Sequence, residues 1–388
     1  MKYVASLDMG SETMVMALAE VSTGLTRVQK VERIPSEGIE RGRVRNAGLA
    51  RESVRQLQEV FSQKHGIVID QLRVALPMSW LRRVSREESA SFPRPRWLDD
   101  SHLAALKRQA LASFLDDDRE VVSILPRSYV VDGAPVQDPT GLQATRLDAS
   151  YTLYSAREAD LEAARAWFKE IKIEVEFYAA VEAMSQALIA KEDGLRNVAL
   201  IDLGAESVKV LVFQRGMVVR DAELPLGCRS IDEDLNRTFN IQSIDKARKL
   251  KHEYGMAIHA MEKNRKIIIP ETKYSIHLHA LLQVEQCRLE ELLEGALFQI
   301  QRSGCYGKLT DGILLTGGGS LVKGVDTLTA KLSGHPVRKA LIAGMSASEA
   351  WLRSPGYLTA FGLLDCVGKS AKRPRRSSGE GWLGKIFK

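Results

Sequence analysis

The residues with most chemical potential fall in two short segments that share a plan. Asp8-Met9-Gly10-Ser11 and Asp202-Leu203-Gly204-Ala205-Glu206-Ser207 each set an Asp at the end of an apolar run, a Gly two residues on, and then small or hydroxyl residues. A tight turn around Gly presents backbone N–H groups to phosphate oxygens. The Asp can hold Mg²⁺ through water or orient an attacking water, and the hydroxyls of Ser11 and Ser207 can hydrogen-bond phosphate directly. One such turn is an ordinary β-turn. Two of them, facing each other, would grip a triphosphate from both sides. A third segment, Thr316-Gly317-Gly318-Gly319-Ser320, follows a short apolar run, and its backbone can approach a base or ribose closely at a helix N-terminus.

Such turns work only where strands hold them. Residues 4–7 and 14–20 read as strands around the first turn, and residues 198–201 and 208–213 repeat the arrangement around the second. The recurrence is an internal repeat of a hairpin, not of a short solenoid unit. A helix is expected over residues 49–63, with Val54, Leu57, Val60 and Phe61 at helical spacing, and a short buried strand over 72–76. Between residues 77 and 154 the character changes to a compact inserted unit of mixed type. Its first stretch, 80–92, is polar and basic and is followed by Pro93 and Pro95; a helix over 99–115 opens on the cap-like Asp99-Asp100-Ser101; strands are expected over 121–125, 128–131 and 147–154. Helices over 158–170 and 179–190 flank a strand over 173–177, residues 234–310 read as largely helical, 313–315 as a buried strand, and 357–367 as the last helix of the body.

At 388 residues the chain suits two lobes or two duplicated halves. The four cysteines, Cys228, Cys287, Cys305 and Cys366, have neither disulfide-frame nor zinc-site spacing and read as reduced thiols of a cytosolic protein. There is no signal-peptide pattern, and no stretch nears the roughly 18 apolar residues of a spanning helix. The net charge of +6 has a local source: seven Lys/Arg and one Glu lie from Lys369 onward, which leaves 48 basic and 48 acidic residues in the rest. A neutral body with a basic tail argues against nucleic acid and for one local electrostatic contact. That tail ends in Gly-Trp-Leu-Gly-Lys-Ile-Phe-Lys, and Trp382, Leu383, Ile386 and Phe387 share one helical face, with Lys385 and Lys388 off it. The pattern is that of an interfacial amphipathic anchor on anionic lipid, or of a docking peptide for a partner groove. Four apolar side chains at about 1.5–3 kcal/mol each, set against roughly 1–2 kcal/mol per ordered residue, make one tail a marginal anchor. Many tails on one polymer would hold firmly.

The three glycine segments resemble, in order, the two phosphate motifs and the adenosine motif of the superfamily of actin, DnaK-type chaperones and sugar kinases. Within it the chain looks most like the FtsA family, bacterial division proteins that tether FtsZ filaments to the membrane. Gly38-Ile39-Glu40-Arg41-Gly42-Arg43-Val44 is similar to that family's segment after its second strand. Ile124-Leu125-Pro126-Arg127-Ser128-Tyr129, Asp132, Asp138-Pro139-Thr140-Gly141-Leu142 and Arg146-Leu147 resemble its inserted subdomain, which actin and the DnaK-type chaperones lack. The likeness covers nearly the whole chain and is weakest from residue 236 to 301.

The resemblance implies an α/β, actin-like two-lobed ATPase fold of duplicated RNase H-like domains with an FtsA-type insert and a C-terminal amphipathic helix. Its parts would be 1–76 with 155–192 (first lobe), 77–154 (insert), 193–233 with 310–367 (second lobe core), 234–309 (helical subdomain), 368–381 (disordered basic linker) and 382–388 (membrane-targeting helix). It implies ATP with Mg²⁺ as cofactors. Asp8, Gly10, Ser11 and Thr13 would bind from one lobe and Asp202, Gly204 and Ser207 from the other, with Asp8 and Asp202 on the metal. Lys251 would lie on the nucleoside side, and Gly317, Gly318 and Gly319 at the adenosine. Its partners would be the FtsZ C-terminal peptide on the helical subdomain, further copies in a filament, anionic lipids and later division proteins. The site would be the cytoplasmic face of the inner membrane at the septum.

Several positions depart from the family. Its second loop usually reads Asp-x-Gly-Gly-Gly-Thr, and Ala205, Glu206 and Ser207 replace the last three. Thr13 stands where a lysine is common, Lys209 where an acid is common, and Arg248 where a ribose-contacting Glu would fall. The catalytic Glu or Gln of actin and the chaperones would fall near Tyr178, with Glu182 a turn away. Glu12 and Glu206 add carboxylates that repel phosphates unless they point outward or share the metal. Nucleotide binding is therefore expected, with hydrolysis slow or absent. Two other readings share the fold. A PilM-like pilus platform generally lacks the Asp138–Leu142 run and the aromatic basic tail, and a small-molecule kinase needs an acceptor-site Asp that the sequence does not offer.

Overall fold

The computed structural model describes residues 2–22, 25–40, 42–188, 197–342 and 345–366. The expected basic linker and the anchor residues Trp382, Leu383, Lys385, Ile386, Phe387 and Lys388 lie outside them.

One plan is used twice. In the first half β1 (Lys2–Met9), β2 (Thr13–Ser22) and β3 (Leu25–Pro35) form an antiparallel meander. Beside β1, β6 (Gln71–Leu76) and β11 (Glu174–Ala179) add in parallel. The second half repeats this with the meander β12 (Val198–Leu203), β13 (Val208–Gln214) and β14 (Met217–Leu224), extended in parallel by β17 (Ile313–Thr316) and β18 (Val337–Lys339). The first sheet gains β19 (Met345–Ser346) beside β3, and β4 (Ile39–Glu40) and β5 (Arg43–Val44) make a small hairpin of their own. Every residue of β12 is buried, as expected for a strand covered on both faces. Its residues alternate between two cores: Val198 and Leu200 join the apolar cluster of the first half, while Ala199, Ile201 and Leu203 join that of the second. The two halves thus share a continuous apolar seam.

The helices cover these sheets. α1 (Ala47–His65) starts where the Asn46 side chain accepts from the Gly48 and Leu49 N–H groups, and it buries Val54, Leu57 and Phe61. α3 (Glu158–Lys169) and α4 (Ala180–Leu188) also belong to the first half. α10 (Leu358–Asp365) packs on α4 so closely that a Cβ at Gly362 would collide with the Ala183 carbonyl. In the second half α5 (Arg229–Thr238), α6 (Ile244–Tyr254), α7 (Leu278–Gln301) and α8 (Val325–Ser333) surround the sheet, and the short α9 (Glu349–Leu352) precedes α10. The stretch expected to be helical from 234 to 310 also contains a β-hairpin, β15 (Lys266–Ile268) with β16 (Ser275–His277).

The inserted unit has its own apolar cluster and a sheet ordered β7 (Arg82–Trp97), β10 (Gln143–Arg157), β8 (Arg119–Val131) and β9 (Ala134–Val136), with α2 (Asp100–Ala112) against it. The polar, proline-bearing stretch is one long edge strand, and Pro93 and Pro95 fall between Ser91 and Arg96, where the register with β10 slips. Proline fits there because an edge strand at a bulge needs no donor from it. The strands expected over 121–125 and 128–131 are one strand, β8, with a register shift where Pro126 and Ser128 meet β10.

Candidate functional site

The two loops are equivalent residue by residue. Asp8 pairs with Val15 and Met9 with Met14 across the first hairpin; Asp202 pairs with Lys209 and Leu203 with Val208 across the second. Each turn therefore leaves the same interval between its last paired residues. A Cβ at Gly10 would lie 2.7 Å from the Thr13 carbonyl oxygen, and one at Gly204 the same 2.7 Å from that of Ser207. Only Gly permits so tight a return. In this register Glu12 matches Glu206, Thr13 matches Ser207, and Ser11 matches Ala205. The two loops share the pattern Asp-x-Gly-x-Glu followed by a hydroxyl residue.

The third segment is seated on the second hairpin. β17 runs parallel to β12 and pairs Thr316 with Asp202. Gly317, at φ 79°, passes so near Asp202 that a Cβ would collide with its Oδ1, and a Cβ on Gly319 would sit 2.7 Å from that of Leu203. Gly318 alone of the three has open space on its side-chain side. Close packing accounts for Gly317 and Gly319, and Gly318 is the one of the three with room beside it.

Charge in the cleft is arranged in two groups. The Lys209 Nζ lies 2.8 Å from Asp202 Oδ2, and Asp202 is only 8% exposed. Burial works against the Lys209 charge, yet the Asp202 ion pair, aided by Asp8 and Glu223, lifts its pKa above the usual amine range. Burial pushes the Asp8 carboxyl up to about 6; Lys209 opposes this and the Asp202 charge adds to it.

The second group spans the lobes. Arg229, at the start of α5, donates from Nη1 to Glu206 Oε1 at 2.6 Å and from Nη2 to Glu12 Oε2 at 3.0 Å and the Ser11 carbonyl at 2.9 Å. One guanidinium thus holds the equivalent glutamates of both loops. The guanidinium is placed by backbone: the Cys228 and Arg229 N–H groups donate to the Gly204 and Ala205 carbonyls at 2.9 and 2.7 Å. The chain of charge continues through Arg248, 3.5 Å from Glu12 and 3.3 Å from Asp232, to Lys251, 2.6 Å from Asp232. Lys251 also donates to the Cys228 carbonyl at 3.2 Å, which ties α6 to the start of α5. Behind it Glu285 is fully buried, pushed up to about 7 by burial, and accepts from the Met256 N–H at 2.9 Å.

The expectation that Asp8 and Asp202 share Mg²⁺ meets a poor fit. Lys209 holds one Asp202 oxygen, and Gly317 closes over the other. Among the described residues no group of three or more His, Cys, Asp or Glu side chains is placed to hold an ion. Glu12 and Glu206 do not share a metal either, since both engage Arg229. Near where the catalytic residue of actin and the chaperones would fall, Tyr178 is buried with Ala183, Leu363 and Cys366, and its hydroxyl donates to Glu176 at 3.1 Å. Glu182, a turn on, is buried too. Sequence reasoning missed Arg229, which belongs to no motif; its only signal was the unexplained pair of loop glutamates that needed a cation.

Two family models match this chain, "Cell division protein FtsA" over residues 199–362 and "SHS2 domain inserted in FTSA" over 87–155. The chain belongs to the FtsA family. It is 23% identical to the FtsA of Bacillus subtilis over 385 residues, covering 96% of this chain and 85% of that one. It is also 23% identical to the FtsA of Borreliella burgdorferi over 374 residues, covering 93% and 90%. Among solved structures, the PilM-PilN type IV pilus biogenesis complex matches with TM-score 0.60 at 14% identity, covering 93% of this chain and 97% of that one. MreB5 of Spiroplasma citri bound to ADP matches with TM-score 0.55 at 11% identity, covering 93% and 95%. The fold is the actin-like two-lobed one, with the FtsA-type insert.

The run that carries the likeness in the insert has structural work to do. Asp132 accepts from the Thr145 and Arg146 N–H groups at 3.1 and 2.7 Å, which ties the end of β8 to β10, and Asp138 accepts from that of Thr140 at 2.8 Å, which closes a local turn. Arg127 reaches the second lobe and donates to the Val219 carbonyl at 3.0 Å. Beside it Arg83 and the Tyr154 hydroxyl donate to the Asp221 carboxylate at 2.9 and 3.1 Å. In this FtsA-family chain the insert is thereby fastened to β14, the strand next to the second hairpin.

Proposed function

We propose that this FtsA-family chain is an actin-like cell-division protein that binds ATP in its cleft, polymerises on the inner face of the cytoplasmic membrane and ties FtsZ filaments to it, recruiting later division proteins. The observation that supports the nucleotide part is that the two glycine loops share one register and are brought side by side by Arg229, which bonds to both. Gly10 and Gly204 shape the loops, Thr13, Ser11 and Ser207 supply hydroxyls, and Gly318 faces the nucleoside side with Lys251 and Arg248 beyond it. An entering phosphate competes with Glu12 and Glu206 for Arg229. Exchange of those partners changes what holds the lobes together, so the cleft acts as a nucleotide-gated assembly switch. Turnover is slow or absent because Tyr178, where related proteins hold a catalytic Glu or Gln, is buried in the first lobe.

The membrane part rests on the tail, Trp382 to Lys388, with the basic linker before it; among the described residues no helix is long and apolar enough to cross a membrane. The FtsZ contact is assigned to residues 234–309. The test is co-sedimentation of FtsZ with anionic vesicles. FtsZ should pellet only when the full chain is present, and a soluble peptide copying the FtsZ C-terminus should release it. FtsZ left in the supernatant with the full chain and vesicles present would overturn the tethering role.

A further inference from the structure

We infer that the cleft takes its nucleotide phosphate without a divalent cation, because the Lys209 ammonium is fixed on Asp202, a carboxylate the ion would need. This inference rests on the nucleotide reading above and sharpens its cofactor. Three observations support it. The first is register. Lys209 is directly opposite Asp202 on β12 and directly opposite Glu223 on β14. Residues facing each other across antiparallel strands project on the same side of the sheet, so the cation is built into a cross-strand ladder of acid, base, acid. Glu223 is itself held, accepting from the Ser79 N–H at 2.7 Å. The equivalent position of the first hairpin is the apolar Val15, so the lysine is not a general feature of this loop plan.

The second observation is that little of Asp202 is left open. Its Oδ2 lies 2.8 Å from Lys209 Nζ, and Gly317 covers its Oδ1. The Lys209 and Asp202 side chains are 19% and 11% exposed. A doubly charged ion at this carboxylate would stand beside a fixed ammonium in a poorly screened pocket. The third is chemical. Mg²⁺ demands octahedral space and gives up its waters reluctantly. An ammonium is compact and has three N–H donors; one goes to Asp202, which leaves donors for a phosphate oxygen. Lys209 thus supplies in a tethered form the positive charge that a metal supplies elsewhere.

The experiment has two arms on the full-length protein. In the first, ATP is titrated by calorimetry in EDTA and in excess Mg²⁺. The parent should bind equally in both, within about threefold, whereas Lys209→Gln should lose about tenfold or more in EDTA and recover with Mg²⁺. Parent binding that vanishes in EDTA, or a Lys209→Gln variant unchanged in EDTA, would overturn the inference. In the second arm, Mn²⁺ alone is followed by electron paramagnetic resonance. The parent should hold none in the cleft and Lys209→Glu should gain one ion; a parent Mn²⁺ site abolished by Asp202→Asn would overturn it. A Lys209→Gln/Asp202→Asn double variant, which does not strand the Asp202 charge, replaces Lys209→Gln if that variant does not fold. If the parent binds ATP in neither buffer, the nucleotide reading fails, and the Mn²⁺ arm still decides whether Lys209 excludes the metal.

Discussion

Asp8 carries the most readable electrostatic signature of the site. Its carboxyl is raised from the ordinary 3.8 to about 6, chiefly by burial. Between those two pH values the folded protein keeps a proton that the unfolded chain has released. The stability this group contributes is therefore fully present below about pH 4 and is lost as pH rises through about 6. Asp8→Asn should accordingly melt higher than the parent at pH 7.5 and together with it at pH 4, as read by calorimetric melts at both pH values. Arg229 makes a different prediction. Its replacement by Ala removes the cation that Glu12 and Glu206 share, leaving Glu12 the longer contact to Arg248 at 3.5 Å, and should cost about 1–3 kcal/mol in urea unfolding; Arg229→Lys should restore only part, because a single ammonium cannot reproduce the forked contact. At this scale the sequence displayed the aspartates, the glycines and the odd pair of glutamates. It could not display Arg229, since a residue that reaches a loop 217 positions away leaves no local pattern.

The elements that could be read from sequence were those with a clean period or a strong cap. α1 and α2 show helical spacing and side-chain caps at Asn46 and Asp99, and β12 and β13 are largely apolar runs, with Asp202 and Lys209 the charged exceptions. The strands that escaped notice are those whose partners cover only part of them. β3 and β14 alternate apolar residues with charged ones. β7, at the edge of its sheet, is polar along most of its length and broken in register at its prolines. The repeated meander explains why both had to exist: each glycine loop joins the first two strands of a three-strand unit, and the third strand is implied by the plan more than by its residues. The crossing of α4 and α10 gives a test at this scale. Gly362→Ala should cost about 1–3 kcal/mol or more, because the new methyl collides with the Ala183 carbonyl and backbone must move. Gly307→Ala, where a Cβ meets nothing within 4 Å, should change stability by no more than about 0.5 kcal/mol. Equal effects in urea titrations would show that the helix crossing is not as close as described.

For the whole molecule, the shared apolar seam at β12, the Arg229 bridge and the fastening of the insert to β14 join the parts into one body. The Arg229 contacts to Glu12 and Glu206 are of a kind a phosphate can replace. In the proposed function the neutral body is the switch and the basic, aromatic tail the anchor. Deleting Trp382 to Lys388 should release the protein from anionic vesicles in flotation assays without lowering its melting temperature. The sequence made this division legible through charge placement alone, whereas the coupling between cleft and assembly depends on contacts that only the fold brings together. That coupling is the central claim, and electron microscopy of the full-length protein on anionic lipid, with and without ATP, tests it most directly. The account predicts filaments on the lipid with ATP and none without it. Filaments of equal abundance in both conditions, or none in either, would contradict it.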